Sequence, residues 1–274
     1  MRWRVGLVVA HYTAGMNHYD LHQGTAPLLI SLPHDSSSIP DDIAERMLAP
    51  ARRAVDTDWH VARLYAPLAE ALGASVLRPL ASRYVVDLNR PVDGHALYPG
   101  QAETGVIPLT GFDGAPLYAD GQAPDAAEIQ RRISVYWQPY HAALAAELSR
   151  LLAVHGRAVL WEGHSIRSRV PMLFPGRLPD FNLGTDSGRS CSAEVQARLQ
   201  ARLEQMPGYT HAINGRFKGG YITRHYGDPA RGVQAIQLEL VQLNYMDEYT
   251  FAWDEAKAVT VRRHILDLLS TALA

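Results

Sequence analysis

The feature that most constrains the fold is a series of short apolar segments separated by longer helical ones. The apolar segments predict buried strands at residues 5–12, 27–34, 75–80, 83–90, 158–165, 210–216 and 233–241. Helices are predicted at residues 58–72, 125–154, 193–204 and 254–269. Strands buried on both faces that alternate with helices are typical of an α/β protein with a mostly parallel sheet. Asp58, Asp125 and Ser192 stand where helix N-caps or first-turn residues are expected.

Composition narrows the class of protein. The 274 residues have a formal net charge of -2 and are 47% hydrophobic, which is ordinary for a globular enzyme. Nucleic acid binding would need a dense basic face, which this charge balance argues against. No Pro/Gly/Ser-rich linker divides the chain, so we expect one domain over residues 1–274.

The compartment is predicted from what the sequence lacks. No segment approaches the ~20 apolar residues of a transmembrane helix, and the N-terminal run is too short for a signal peptide. Cys191 is the single cysteine, so no internal disulfide can form, and we expect a structural or incidental role for its thiol. These observations favour a cytoplasmic protein without a membrane partner.

Polar residues end several of the predicted strands. In α/β sheets, ligands bind just beyond the carboxyl ends of strands, so these residues should converge. Period-two alternation puts Gln237 and Glu239 on one face of the last strand. The strand-end residues are His34, Asn89, Arg90 and His164, with Glu162 just before the last of them.

Two histidines and a carboxylate from separate elements predict a zinc site that keeps a position open for water. His34 and His164 are the imidazole candidates, and Asp58 is our choice of carboxylate. Each histidine could instead be an ordinary buried or surface residue, and Asp58 a helix cap. The competing carboxylates are Asp35, Asp56 and Glu162. Asp35 and Glu162 could instead orient an imidazole through a hydrogen bond.

Glu239 is a charged residue inside a mostly apolar strand. Burying a lone carboxylate is costly unless it is paired or hydrogen-bonded, so a function or an ion pair must compensate. Beside an activated water, Glu239 could act as general base and then as acid toward a leaving nitrogen.

Two basic stretches predict an anionic ligand. Asn89 and Arg90 resemble a carboxylate anchor, because a guanidinium fork matches a carboxylate, although Arg90 could instead pair with Asp87 or Asp93. The segment NGRFKGGYITRHYG, at residues 214–227, adds Arg216 and Arg224, and its glycines allow close backbone approach to a ligand. This segment could also be a solvated basic loop. Arg167 is a third candidate for the second anchor of a dicarboxylate substrate.

Taken together, these motifs resemble a known family. PHDSSSIP, DTDWH, SRYVVDLNRP, LYPGQAETG, LFPGRLPDFNLGT, NGRFKGGYITRHYG and IQLELVQ occur in the order and spacing of N-formylglutamate amidohydrolases, also called deformylases. The resemblance extends from about Gly24 to Trp253. It implies metal-dependent hydrolysis of N-formyl-L-glutamate to L-glutamate and formate, the last step of a histidine degradation route.

The resemblance also implies a fold. It is a three-layer α/β/α sandwich with a mixed sheet, like the zinc carboxypeptidases (phosphorylase/hydrolase-like). In that wider group an Asn-Arg pair holds a substrate carboxylate, which implies this role for Asn89 and Arg90. The group has a glutamate three residues after the first histidine, where this chain has Ser37, so the carboxylate ligand must come from elsewhere. Glu162 stands where an aspartate is expected.

Two other functions remain open at this point. The protein could be a zinc amidase for another N-acyl or N-formyl amino acid, or a non-catalytic binder of acidic amino acids. Under the N-formylglutamate hypothesis the ion, Zn²⁺ or another divalent metal, is held by His34, Asp58 and His164. Glu239 transfers protons, and the arginines hold the two carboxylates.

Overall fold

The computed structural model describes residues 18–274, and a mixed sheet of seven strands forms the centre of this part of the chain. The strands are β1 (Tyr19–His22), β2 (Leu28–Ser31), β3 (Ser75–Pro79), β4 (Ala158–Ile166), β5 (Phe181–Gly184), β6 (His211–Ile213) and β7 (Val233–Val241). Their order in the sheet is β1-β3-β2-β4-β7-β5-β6. The four strands β3, β2, β4 and β7 are parallel, whereas β1 and β5 run antiparallel to β3 and β7.

Helices cover the sheet. They are α1 (Asp41–Ala44), α2 (Val61–Leu72), α3 (Ala126–Arg132), α4 (Gln138–His155), α5 (Ala193–Glu204), α6 (Tyr221–Tyr226) and α7 (Glu255–Leu273). A π-helical turn over Ile133–Trp137 joins α3 to α4, so the single helix predicted at 125–154 is interrupted. Within residues 18–274, no helix has the length and apolar character that crossing a membrane would require.

The two faces of the sheet pack against different helices. On one face Ile30, Trp161 and Leu238 pack with residues of α2, α5 and α7. On the other face Leu160 and Ala235 pack with α4, and α6 joins the same core. The prediction of a three-layer α/β/α sandwich with a mixed sheet is therefore confirmed.

The register of β4 and β7 collects polar side chains on one face. His164 lies opposite Glu239, and Glu162 lies opposite Gln237. Since side chains alternate with a period of two, these four share the face that α4 and α6 cover, while the residues between them enter the apolar core beneath α7. The strand pattern thus brings the reactive groups together on a single surface.

The predicted strand at 83–90 is wrong. This segment is a buried loop of turns, in which the backbone N–H of Asp87 donates to Val106, and just before it the N–H of Ser82 donates to Ser38. The apolar run correctly indicated burial, but both edges of β3 are already paired, with β1 and β2. The loop instead crosses the carboxyl ends of the parallel strands.

Other differences have local causes. β1 and β5 were not predicted, because YDLH and FNLG contain too few apolar residues to give a strand pattern. The strand predicted at 5–12 lies outside the described residues, and the one at 210–216 is shortened to β6. Asp125 and Ser192 cap α3 and α5 as expected.

Asp58 does not cap a helix. The helix predicted from Asp58 begins at Val61, after His60 in a left-handed conformation (φ 63°). The carboxylate of Asp35 accepts the hydrogen bond from the N–H of Ala62 in its first turn. The Asp58 carboxylate is thereby left for other partners.

His141 on α4 makes a hydrogen bond to the loop at 83–90 and helps to fix its position. Its Nε2 donates to the carbonyl of Leu88 (2.9 Å), its Nδ1 lies 3.0 Å from the hydroxyl of Tyr226, and its ring stacks on Trp137. Burial lowers the pKa of His141 to about 4. Burial therefore favours the neutral ring in the folded protein.

We expect this histidine to make the protein less stable in mild acid. The unfolded chain takes up a proton near the ordinary value of 6.5, and the folded chain only near about 4. The stabilisation from His141 is complete above 6.5 and is lost as the pH falls toward 4, with a slope of at most about 1.4 kcal/mol per pH unit. Denaturant unfolding of His141→Gln between pH 7 and 4.5 should show a shallower decline than the parent protein.

The control is His155→Gln at the exposed end of the same helix, which should follow the parent protein. Equal slopes for the parent and His141→Gln would contradict the assignment.

Candidate functional site

A pocket opens at the carboxyl ends of β2, β4 and β7. The space not filled by atoms there, counted together with the open solvent at the mouth, is about 560 Å³. The loop at 83–90 and the segments around residues 98–112 and 216–220 form its other walls. Its polar lining residues are His34, Arg83, Asn89, Arg90, Tyr98, Thr104, His164, Ser165, Arg216, Gln237 and Glu239.

His34, Asp58 and His164 meet at one end of this pocket. Nδ1 of His164 lies 2.9 Å from Oδ2 of Asp58, and Nδ1 of His34 lies 3.7 Å from the same oxygen. One nitrogen from each ring and a carboxylate oxygen lie within 4.8 Å of one another, and all three residues are buried. This donor set is one that a divalent cation such as Zn²⁺ can use.

A second carboxylate restrains each imidazole. Nε2 of His34 lies 2.9 Å from Asp87, and Nε2 of His164 lies 2.7 Å from Glu162. When Nε2 donates to a carboxylate, Nδ1 is left as the lone-pair atom that can bind a metal. Nδ1 of His34 is buried and makes no hydrogen bond to any described residue. Since buried polar atoms rarely lack a partner, this nitrogen fits a bound cation.

The competing carboxylates have other partners. Asp35 pairs with Arg78 and with the N–H of Ala62. Asp56 accepts from the hydroxyl of Tyr84 and from Arg167. The second oxygen of Glu162 accepts from the N–H and hydroxyl of Thr223. Of the four carboxylates considered from the sequence, the structure brings Asp58 to Nδ1 of both histidines.

The charged groups of the cluster shift one another's pKa values. Burial acts to lower the pKa of His164, but Asp58 and Glu162 outweigh it and hold the pKa well above its usual value. Burial acts to raise the pKa of Asp58, yet His164 and His34 hold it below its usual range. The carboxylate therefore stays ionised, with positive charge drawn toward it.

Glu239 faces the same pocket from β7. It is 8% exposed, and no side chain within residues 18–274 donates a hydrogen bond to its carboxylate. Burial raises the pKa of Glu239 to about 8, while His164 and Arg83 act to lower it. A carboxyl group that holds a proton near neutral pH, beside a metal-type cluster, is suited to proton transfer.

Two of the predicted arginines line the pocket. Arg90 donates from Nε to the carbonyl of Thr104, and Arg216 donates to the carbonyls of Leu173 and Ala102. These bonds to neutral carbonyls leave the positive charge of both guanidinium groups without an ion pair among the described residues. An anionic ligand would find two cations in the wall.

The other two predicted arginines do not line the pocket. Arg167 pairs with Asp56 at 3.0 Å and lines a smaller adjoining cavity. Arg224 donates to the carbonyls of Gly219 and Leu97 and lies over the ring of Tyr98. Both arginines therefore contact residues next to the pocket without lining it themselves.

Asn89 is oriented by the backbone. Its Oδ1 accepts from the N–H of Ile222 (2.9 Å), which fixes Nδ2 on the other side of the amide. Nδ2 lies 3.2 Å from Nε2 of His164, but that nitrogen already donates to Glu162. Two donors cannot bond to each other, so Nδ2 remains available to an acceptor in the pocket.

Sequence reasoning missed Arg83 and the role of Asp87. Arg83 is buried in the pocket wall, pairs with Asp87 at 2.7 Å and lies 3.9 Å from Asp58. From the sequence, Asp87 was expected only as a possible ion-pair partner of Arg90. The spacing of four residues between Arg83 and Asp87 was the available signal, but the strand prediction put the two on the same face without a turn between them.

Comparison with known proteins identifies the family. The family model described as N-formylglutamate amidohydrolase matches residues 26–246. The chain belongs to the N-formylglutamate amidohydrolase family. It is 52% identical to the N-formylglutamate deformylase of Pseudomonas aeruginosa over 92% of this chain and 94% of that protein. It is 49% identical to the N-formylglutamate deformylase of Pseudomonas putida over 88% of this chain and 90% of that protein.

Solved structures show the same fold. The N-formylglutamate amidohydrolase from Ralstonia eutropha JMP134 superposes with a TM-score of 0.77 at 29% identity, covering 93% of this chain and 96% of that one. The gene product Atu2144 from Agrobacterium tumefaciens superposes with a TM-score of 0.73 at 18% identity, covering 94% and 95%. The second similarity supports the fold only.

We expect Asp87→Asn to weaken divalent metal binding by about 10- to 100-fold, because the hydrogen bond that fixes the His34 tautomer loses its charged acceptor. The measurement is titration of the metal-free protein with Zn²⁺ or Co²⁺, followed by calorimetry or by the cobalt absorption spectrum. Asp93→Asn is the control, since Asp93 is exposed and pairs with His95. Equal affinities for the two variants would contradict the role of Asp87.

Proposed function

We propose that this protein hydrolyses N-formyl-L-glutamate to L-glutamate and formate, in the last step of a histidine degradation route. Membership of the family and the names of two relatives about half identical to the chain support this activity. The observation that carries the proposal is the meeting of the histidine–aspartate cluster, Glu239 and two arginines in one pocket.

His34, Asp58 and His164 would hold the metal ion. Support comes from the shared orientation of both Nδ1 atoms toward Asp58, from the unpaired Nδ1 of His34, and from the carboxylates behind both rings. Bound there, a divalent ion such as Zn²⁺ supplies Lewis-acid polarisation and makes water a better nucleophile at neutral pH. The nature of the donor set, two nitrogens and one oxygen, suits zinc and leaves room for further ligands.

Glu239 moves the proton. Its carboxylate takes a proton from the attacking water and returns it to the glutamate nitrogen as the amide bond breaks. A cation at the neighbouring cluster would lower the pKa of Glu239 from its raised value and favour the base form. Arg83, buried beside Asp58 and paired with Asp87, compensates the negative charge of these two carboxylates.

Arg90, with Asn89 beside it, binds one carboxylate of the substrate, and Arg216 binds the other. Both guanidinium groups line the pocket without a carboxylate partner, whereas Arg167 is paired and Arg224 lies outside the lining. Fixing both carboxylates orients the formamide carbon toward the metal cluster and Glu239. This assignment makes Arg216 the second anchor.

Release of the free amino acid, detected through its new primary amine, from a panel of N-acyl amino acids tests the function. The metal-loaded protein should act on N-formyl-L-glutamate in preference to N-formylaspartate and N-acetylglutamate, because each misplaced or extra methylene costs ~1–3 kcal/mol in a fitted pocket. Faster turnover of N-acetylglutamate would establish the alternative, a broader acyl amidase. A protein that binds glutamate but is inert with Zn²⁺ and Co²⁺ would establish a non-catalytic binder.

Glu239→Gln should lower kcat by about 10²- to 10⁴-fold, because the amide cannot accept the proton from water. KM and the metal content should change little, since Glu239 is assigned neither to the metal nor to the substrate carboxylates. Steady-state formate release and metal analysis measure both. Gln234→Glu, on the opposite face of β7, is the matched control and should keep the parental kcat. Retention of full kcat in Glu239→Gln would refute the proton-transfer role.

A further inference from the structure

Gln237 is a pocket residue that the mechanism leaves without a role. It lies on β7 two residues before Glu239, so its side chain shares that face of the strand. It is 3% exposed and lines the pocket. A buried amide in a pocket wall must find partners for both its oxygen and its nitrogen.

The backbone fixes the orientation of this amide. The N–H of Gly220 donates to Oε1 of Gln237 at 2.7 Å. Since an N–H requires an acceptor, the oxygen must face Gly220 and the nitrogen must point away. The Glu162 carboxylate, opposite in β4, is already engaged with His164 and Thr223. Across residues 18–274, nothing accepts a hydrogen bond from Nε2, and this atom is not enclosed by protein.

Asn89 is held in a parallel way. Its Oδ1 accepts from the N–H of Ile222, two residues after Gly220. The backbone of Gly220 lies directly against its amide, since a Cβ built on Gly220 would lie 2.2 Å from Nδ2. The amides of Asn89 and Gln237 therefore flank Gly220 on one wall. Each has its oxygen bonded to the backbone and its NH₂ group free to donate.

We propose that Gln237 is a substrate-binding residue, whose Nε2 donates to the same carboxylate that Asn89 and Arg90 hold. The inference rests on the proposed function. It adds Gln237 as a third hydrogen-bond donor to the carboxylate anchor formed by Asn89 and Arg90. A carboxylate has two oxygens with about four acceptor positions, enough for a guanidinium and two amides. A neutral donor suits this site because its oxygen must also accept from Gly220, which a lysine or arginine could not do.

The test compares two glutamines of β7. In both Gln237→Glu and Gln234→Glu the NH₂ group is replaced by oxygen, while an oxygen is kept for the backbone N–H, that of Gly220 or of Ser192. Gln237→Glu should raise KM for N-formylglutamate at least about 100-fold, because it exchanges a donor for a negative charge facing the carboxylate. Gln234→Glu should stay within about twofold of the parent.

A neutral variant separates hydrogen bonding from charge. Gln237→Met adds no charge and removes both the donor and the acceptor of the Gly220 N–H, and it should raise KM about 10-fold or more, with kcat changed far less. Melting temperature and metal content are measured for every variant. If either variant fails to fold, the other decides the outcome.

Two substrate analogues identify the carboxylate. One lacks the α-carboxylate (N-formyl-4-aminobutyrate), and the other replaces the side-chain carboxylate by an amide (N-formylglutamine). The losses in kcat/KM caused by Gln237→Met and Arg90→Ala should shrink on the same analogue. Losses that shrink on different analogues would overturn the proposal. So would an unchanged KM for Gln237→Glu in a protein whose parent releases formate. A parent that releases none would refute the function itself.

Discussion

The rest of the site depends on one carboxylate that faces two imidazoles. Asp58 is buried between His34 and His164, while Asp87 and Glu162 hold the far nitrogens of the two rings. Burying several carboxylates together is unfavourable unless cations compensate them. Arg83 supplies one positive charge beside Asp58 and Asp87. A divalent cation at the two Nδ1 atoms would supply the rest of the positive charge that the buried carboxylates need. The same cation would supply the chemistry that we propose for the site.

Regular strands and irregular loops contribute differently to this arrangement. β4 and β7 present Glu162, His164, Gln237 and Glu239 on one face through ladder pairing, which sets their spacing. The loop at 83–90 can turn several times within a few residues, so Arg83, Asp87 and Asn89 reach different parts of the same site. A strand in this place would have put these three side chains on one face, spread along its length, and Arg90 on the opposite face.

Hydrogen bonds from three arginines also link the pocket wall to the segment that covers the site. Arg90, Arg216 and Arg224 donate to the carbonyls of Thr104, Ala102 and Leu97, within one segment that lies over the site. Carbonyl bonds position a guanidinium without neutralising it, which keeps its charge available to an anion. Arg167, which Asp56 neutralises, lacks this property. Arg224 also pairs with Asp186 at 3.6 Å, so the unpaired arginines of the pocket wall, Arg90 and Arg216, are the proposed anchors.

The sequence by itself determined the layer architecture, most of the helices and the strands β2, β3, β4 and β7, because their hydrophobic periodicity is local. Ordered motifs also determined the family, which the comparisons confirm. The roles of Glu239, Asn89 and Arg90 remain predictions. Only the tertiary structure decided which carboxylate faces the histidines, which arginines are unpaired, and where Gln237 directs its amide. Those answers depend on contacts between residues far apart in the chain, such as Asp58 with His164 and Gly220 with Gln237, which no local pattern encodes.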